Sequence, residues 1–163
     1  MTPTLTIKHA KAKGTGAMVS FELHPAHDTE IGFVKITFAA QATARTYENG
    51  KRTDETFDTE NGASVNLSIN EVAKLLEVFR GYREKVDDGN GIFIRTDNAN
   101  AVLTFEHRLE PVPGYLLAIS QKTLDGELNR MGVLFSMTEA IVLSEALASS
   151  MVYLAFGVPA MAI

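Results

Sequence analysis

The sequence predicts an α+β domain built from two tandem ββββα repeats, with curved antiparallel sheets and the helices packed on one side. Three observations predict it: a strand-to-helix motif that recurs at a fixed offset, closely spaced turn signals, and apolar alternation within the short segments between them. The recurring motif is the strongest of these. Val65-Asn66-Leu67-Ser68-Ile69-Asn70-Glu71 and Val133-Leu134-Phe135-Ser136-Met137-Thr138-Glu139 share one pattern. In each, a short apolar strand runs into Ser-x-x-Glu, in which the Ser hydroxyl can accept from the third helical amide while the Glu reaches back to the Ser amide. The match extends downstream, where Leu75 and Glu77 correspond to Leu143 and Glu145, and upstream, where Ile36-Thr37-Phe38 corresponds to Leu103-Thr104-Phe105.

The elements follow in order. Residues 1–17 hold Lys8, Lys11 and Lys13 and no acid. They lack the continuous apolar stretch of a secretion signal, so they are expected as a flexible basic N-terminal arm. The first repeat is expected over residues 18–85, with strands at 18–24, 32–47, 51–58 and 64–68. Asn49-Gly50 suits a two-residue hairpin turn, and Asn61-Gly62 is expected to close the next one. Val72, Leu75, Leu76, Phe79 and Tyr82 then recur at helical spacing, as on a helix lying against a sheet. Residues 86–90 are the expected linker. The second repeat is expected over 91–156, with strands at 91–96, 101–109, 115–122 and 129–135. Its turns are marked by Pro111-Val112-Pro113-Gly114 and Asp125-Gly126. Residues 157–163 form an apolar C-terminal tail.

The second helix is too widely apolar for one sheet contact. Besides Ile141, Leu143 and Leu147 it carries Val142, Ala146, Met151, Val152, Tyr153 and Leu154, so a further partner is expected, either the first helix or another subunit of a homo-oligomer. A membrane span is disfavoured. Ser149, Ser150, Gly157 and Pro159 interrupt the uncharged stretch, and no basic cluster flanks it.

Composition narrows the function classes. The chain of 163 residues has no Cys, which excludes disulfides, thiolate zinc sites and thiol nucleophiles and leaves a cytoplasmic location as the default. His24, His27 and Asp28 lack a third well-spaced ligand, and no metal or other cofactor is expected. His107 aligns with the inward set. Ser68 and Ser136 read as helix caps, and no Gly-rich phosphate loop is present. Met131, Met137 and Met151 read as packing. The chain is therefore read as a binding protein and not an enzyme. Its net charge of −5 decides little about partners, because binding depends on which face carries the bases.

Strand periodicity separates those faces. In the long second strand Val34, Ile36, Phe38, Ala40 and Ala42 are expected in the core, with Lys35, Thr37, Gln41, Thr43, Arg45 and Tyr47 outside. A turn at Asn49-Gly50 sets Tyr47 opposite Arg52 and Arg45 opposite Asp54. In the second repeat Leu103 and Phe105 point inward. Val102, Thr104, Glu106 and Arg108 point outward, joined by Phe93, Arg95, Lys122 and Arg130. Bases that track a phosphate backbone beside aromatics on which nucleobases stack suit single-stranded nucleic acid. The candidate binding residues are Lys35, Thr37, Arg45, Tyr47, Arg52, Phe93, Arg95, Arg108, Lys122 and Arg130. The alternatives are a protein-interaction or scaffold module, and a small-molecule enzyme using the concavity between repeats.

The ββββα order, its tandem copies and the junctions Leu67-Ser68-Ile69-Asn70-Glu71 and Phe135-Ser136-Met137-Thr138-Glu139 resemble the single-stranded DNA-binding transcriptional-regulator fold. That fold is shared by the Whirly proteins, the purine-rich-element binding (PUR) repeats, the kinetoplastid guide-RNA-binding proteins and the transcriptional positive cofactor four. The resemblance covers residues 18–156 and is architectural. It implies contact with single-stranded DNA or RNA through the curved sheets, assembly through helices or sheet edges, and a role in replication, recombination or transcription.

Overall fold

The computed structural model describes residues 2–96 and 99–158. Two antiparallel four-stranded sheets dominate it. The first consists of β1 (Thr4–His9), β2 (Ala17–His24), β3 (Phe33–Thr43) and β6 (Thr56–Leu67), in the order β1-β2-β3-β6. Between β3 and β6, β4 (Thr46–Glu48) and β5 (Lys51–Thr53) pair only with each other, as a ribbon. Helix α1 (Ile69–Phe79) follows. The second sheet contains β7 (Ile92–Arg95), β8 (Ala99–Arg108), β9 (Gly114–Thr123) and β10 (Leu128–Phe135), in the order β10-β9-β8-β7, and leads into α2 (Met137–Phe156).

Both helix starts form as the motif requires. Ser68 Oγ accepts from the Glu71 amide at 3.4 Å and Glu71 Oε1 accepts from the Ser68 amide at 2.9 Å. The corresponding distances for Ser136 and Glu139 are 3.1 and 3.0 Å. Four amides that a helix leaves without partners are thereby satisfied. The Asn49-Gly50 turn also forms. Both residues take positive φ, 51° and 73°, the geometry whose twist matches a hairpin, and Tyr47 pairs with Arg52.

Four expectations about the first half are corrected. Residues 4–9 are not an arm but β1, pairing with β2 from Thr4 opposite Glu22 to His9 opposite Ala17. Leu5 and Ile7 alternate with Thr4, Thr6 and Lys8, so one side of this strand reaches the core. Asn61-Gly62 closes no turn. It lies in the continuous strand β6, where the register with β3 jumps from Phe38–Ala63 to Ala40–Asp58. A Cβ on Gly62 would stand 2.3 Å from the Phe38 carbonyl oxygen, so glycine permits a bulge here. Ala40 and Ala42 are exposed, whereas Ala39 and Gln41 are buried. The register of β3 with β2 is unbroken, so Ala39 and Gln41 keep the outer orientation of Lys35 and Thr37 and are covered on that side. Lastly, α1 ends at Phe79, and Tyr82, beyond Gly81 at φ 77°, is exposed.

One core serves both halves. Ile36, Phe38 and Leu67 of the first sheet, Leu103, Phe105, Leu117 and Phe135 of the second, and Leu75 and Leu143 of the helices belong to a single buried cluster. Full burial of one such side chain contributes about 1.5–3 kcal/mol. The helices join the halves. Phe79 at the end of α1 packs on Phe105 and Tyr115 of the second sheet, with ring centroids 4.7 and 5.0 Å away. Helix α2 is tied to the first sheet and to the connection between β2 and β3: His9 Nε2 lies 2.9 Å from the Glu139 carboxylate, and the Ala26 amide donates to the Tyr153 carbonyl at 3.1 Å. The expected linker is a short 3-10 turn, Val86–Gly89, anchored by buried Val86 and a Lys74–Asp87 ion pair at 2.8 Å. Of the expected tail, Pro159–Ile163 lie outside the described residues.

Candidate nucleic-acid interface

The cores of both sheets are closed by α1 and α2, so the opposite faces are the surfaces open to a ligand. Cross-strand register arranges the first of these faces in rows. Thr6, Ser20, Thr37 and Ser64 make one row, with Thr37 Oγ1 and Ser64 Oγ 3.0 Å apart. Thr4, Glu22, Lys35 and Asn66 make the next. Glu22 lies 2.7 Å from His24 Nε2 and forms no ion pair with neighbouring Lys35. Lys35 and Thr37 are therefore where alternation places them, on a face rich in hydroxyls.

The second sheet presents a different surface. Leu128, Lys122, Asn100 and Arg95 form one row, and Arg130, Ser120, Val102 and Phe93 the next. Phe93 is 59% exposed, and the Arg95 guanidinium lies 6.0 Å from its ring centroid. Ala118 and Gly132 stand opposite each other in β9 and β10, and their small side chains leave a groove of about 410 Å³ bordered by Val102, Thr104 and Arg130. Among the described residues Lys35, Lys122 and Arg130 have no carboxylate within ion-pair distance.

Arg45, Tyr47 and Arg52 are not on either sheet face. They belong to the ribbon and its root. Arg45 donates from Nε and Nη2 to the two oxygens of Glu55 at 2.9 and 3.2 Å, and Arg52 Nε donates to Asp54 at 2.7 Å. The hydrogen bonds from Arg45 hold the Glu55 carboxyl below its ordinary value and raise the guanidinium in turn. Arg108 is likewise engaged, by Glu106 on its own strand. These three bases must exchange a carboxylate for a phosphate before they can contact a nucleic-acid backbone, at a cost that Lys35, Lys122 and Arg130 do not bear.

The structure thus divides the ten candidates among three places: Lys35 and Thr37 on the first sheet, Arg45, Tyr47 and Arg52 at the ribbon, and Phe93, Arg95, Lys122, Arg130 and Arg108 on the second. It also adds residues that sequence reasoning left in an arm. Lys8 sits on β1 over the Phe57 ring, 5.8 Å from its centroid, and Lys11 lines a cleft with Arg45 and Tyr47. The alternation of Leu5 and Ile7 with Thr4, Thr6 and Lys8 is the signal that could have found that strand. Among the described residues no group of three His, Asp or Glu side chains is arranged to hold a metal ion.

Antiparallel sheets, each followed by a capped helix and joined through one core, define an α+β fold of the Whirly type. The crystal structure of WHY1 from Arabidopsis thaliana superposes with a TM-score of 0.68 at 19% identity, over 92% of this chain and 85% of that one. The plant transcriptional regulator PBF-2 gives 0.65 at 18%, covering 95% and 83%, and WHY3 from Arabidopsis thaliana gives 0.63 at 19%, covering 95% and 92%. No family model matches the sequence, and no curated protein matches it by sequence comparison. The likeness lies in the backbone.

Proposed function

We propose that this protein binds single-stranded nucleic acid, with single-stranded DNA favoured, through the outer faces of its sheets, and that it acts in replication, recombination or transcription. The two halves are read as tandem copies of one ββββα unit, assembled further into a homo-oligomer through α2. The observation that carries the reading is the second sheet's outer face, where exposed Phe93 stands beside Arg95 and in one row with Arg130, while Lys122 shares the row of Arg95. An aromatic platform next to cations is what a flexible single strand requires, because bases stack while phosphates follow the charges. The Whirly-type backbone, shared with a plant transcriptional regulator, supports it. Overall acidity does not oppose it, because binding depends on which face carries the bases, and Lys35, Lys122 and Arg130 have no carboxylate within ion-pair distance among the described residues.

Fluorescence anisotropy with single-stranded and duplex oligonucleotides of equal length, at several salt concentrations, tests the proposal. The single strand should bind more tightly, with affinity falling as salt rises by a slope of about 0.7 per neutralised phosphate. Exchanging Lys35, Lys122 and Arg130 for Glu should weaken binding and leave the circular-dichroism spectrum unchanged. Equal affinity of the wild type and this triple variant would reject the sheet faces as the site.

A further inference from the structure

Gln41 is the one polar side chain buried on the outer side of the first sheet, 8% exposed among the described residues. Its amide is fully used. Oε1 accepts from the amides of Lys11 at 2.8 Å and Gly16 at 2.9 Å, and Nε2 donates to the carbonyls of Lys11 at 3.1 Å and Thr43 at 3.0 Å. A glutamine amide offers two donor hydrogens and one oxygen with two lone pairs, so no capacity remains. Three of these four bonds go to the connection between β1 and β2. Gly16 fits there because it has no side chain: a Cβ would meet the His9 carbonyl oxygen at 2.0 Å and Gln41 Oε1 at 2.5 Å.

The connection so fastened carries Lys11 and Lys13. Across from it stand Arg45 and exposed Tyr47, and between them lies a cleft of about 300 Å³ lined by Lys11, Gln41, Arg45, Tyr47 and Glu55. Lys11 has no carboxylate within ion-pair distance among the described residues, and the only carboxylate lining the cleft, Glu55, is occupied by Arg45.

We propose that Gln41 is a positioning residue for nucleic acid: it holds the Lys11 connection against the ribbon so that Lys11, Arg45 and Tyr47 make a subsite for one nucleotide. A phosphate meets Lys11 and, by exchange with Glu55, Arg45; the base lies on Tyr47. This rests on the single-strand reading above. Without Gln41 the connection is no longer held against the ribbon, so the Lys11–phosphate contact drops out of the complex and affinity falls.

The test measures binding of a fluorescein-labelled oligo-dT to the full chain over a salt series, with thermal melting alongside. The variants are Gln41→Met, which keeps the volume and removes all four hydrogen bonds, Lys11→Gln, and the two combined. Gln41→Met should weaken binding roughly 2- to 12-fold and reduce the salt slope by about 0.7, one phosphate contact. Lys11→Gln should reduce the slope equally, and the double variant should lose no more than either single one. Should Gln41→Met not fold, Gly16→Ala displaces the same connection and should show the same slope loss. A purely structural role would lower the melting temperature and leave the slope alone. A wild-type slope in Gln41→Met, or additive losses in the double variant, overturns the inference while the function stands. Failure of the wild type to bind the oligonucleotide overturns both.

Discussion

Helices α1 and α2 start with the same capping box and meet different surroundings. In α1 Val72, Leu75, Leu76 and Val78 are buried, and its outward Lys74 and Glu77 pair with Asp87 and Arg83. In α2 Ala140, Leu143, Leu147, Ser150 and Leu154 are buried, but the opposite side exposes Ile141, Val142, Val152 and Phe156. Mean hydropathy over α2 reaches 1.4, and by length and composition it could cross a membrane. The buried side instead joins the core shared by both sheets. The comparison teaches that a cap sets where a helix begins and says nothing about how much of its circumference the chain can cover. Helix α1 covers its apolar stripe within the protomer. Helix α2, nearly twice as long, leaves apolar surface over, and this is what a second copy of the chain would bury.

The largest effect expected from that contrast is on assembly. Val152→Asp combined with Phe156→Asp should reduce the proposed oligomer to a species near 17.7 kDa in light scattering, with the circular-dichroism spectrum retained. Leu154→Asp should unfold the chain instead, because Leu154 is 4% exposed in the core. A wild type that is already monomeric at high micromolar concentration would assign the exposed side of α2 to no subunit at all.

A smaller effect separates the two sheets. The second carries an exposed aromatic among cations, while the first offers hydroxyls, so Phe93→Ala should cost about 1–3 kcal/mol of single-strand affinity for each base it stacks. Thr37→Val on the first sheet should cost less in the same titration. The reverse order would move the base platform from the second sheet to the first.

The smallest concerns the second cap. Partial burial alone would raise the Glu139 carboxyl, but hydrogen bonds from the Ser136 amide and from His9 hold it below its ordinary value. A depressed carboxyl stabilises the fold above its ordinary value of about 4.5, and that contribution disappears as pH falls through the folded-state value. Glu139→Gln should therefore be less stable than the wild type at neutral pH and lose less stability on acidification below about 4.5 in denaturant titrations. Glu71→Gln in α1, where no histidine meets the carboxylate, serves as the comparison. Parallel acid dependence in wild type and Glu139→Gln would remove His9 from the cap.

The sequence determined the features that depend on neighbours along the chain. Ser68 and Ser136 cap helices because their partners lie three residues ahead, Asn49-Gly50 turns because both residues tolerate positive φ, and Leu103 and Phe105 face inward because a strand alternates. Tertiary structure decided what depends on distant partners. Thr4–His9 became a strand only by pairing with β2, and Asn61-Gly62 became a bulge only because Phe38 approaches so closely. Gln41, read as solvated, was buried by backbone groups some 25 to 30 residues earlier in the chain. Arg45 and Arg52 moved off the sheet faces because β4 and β5 pair with each other and with no other strand among the described residues. Local propensities act over a few residues and can be read in order, whereas burial and ion pairing depend on which segments a compact core brings together.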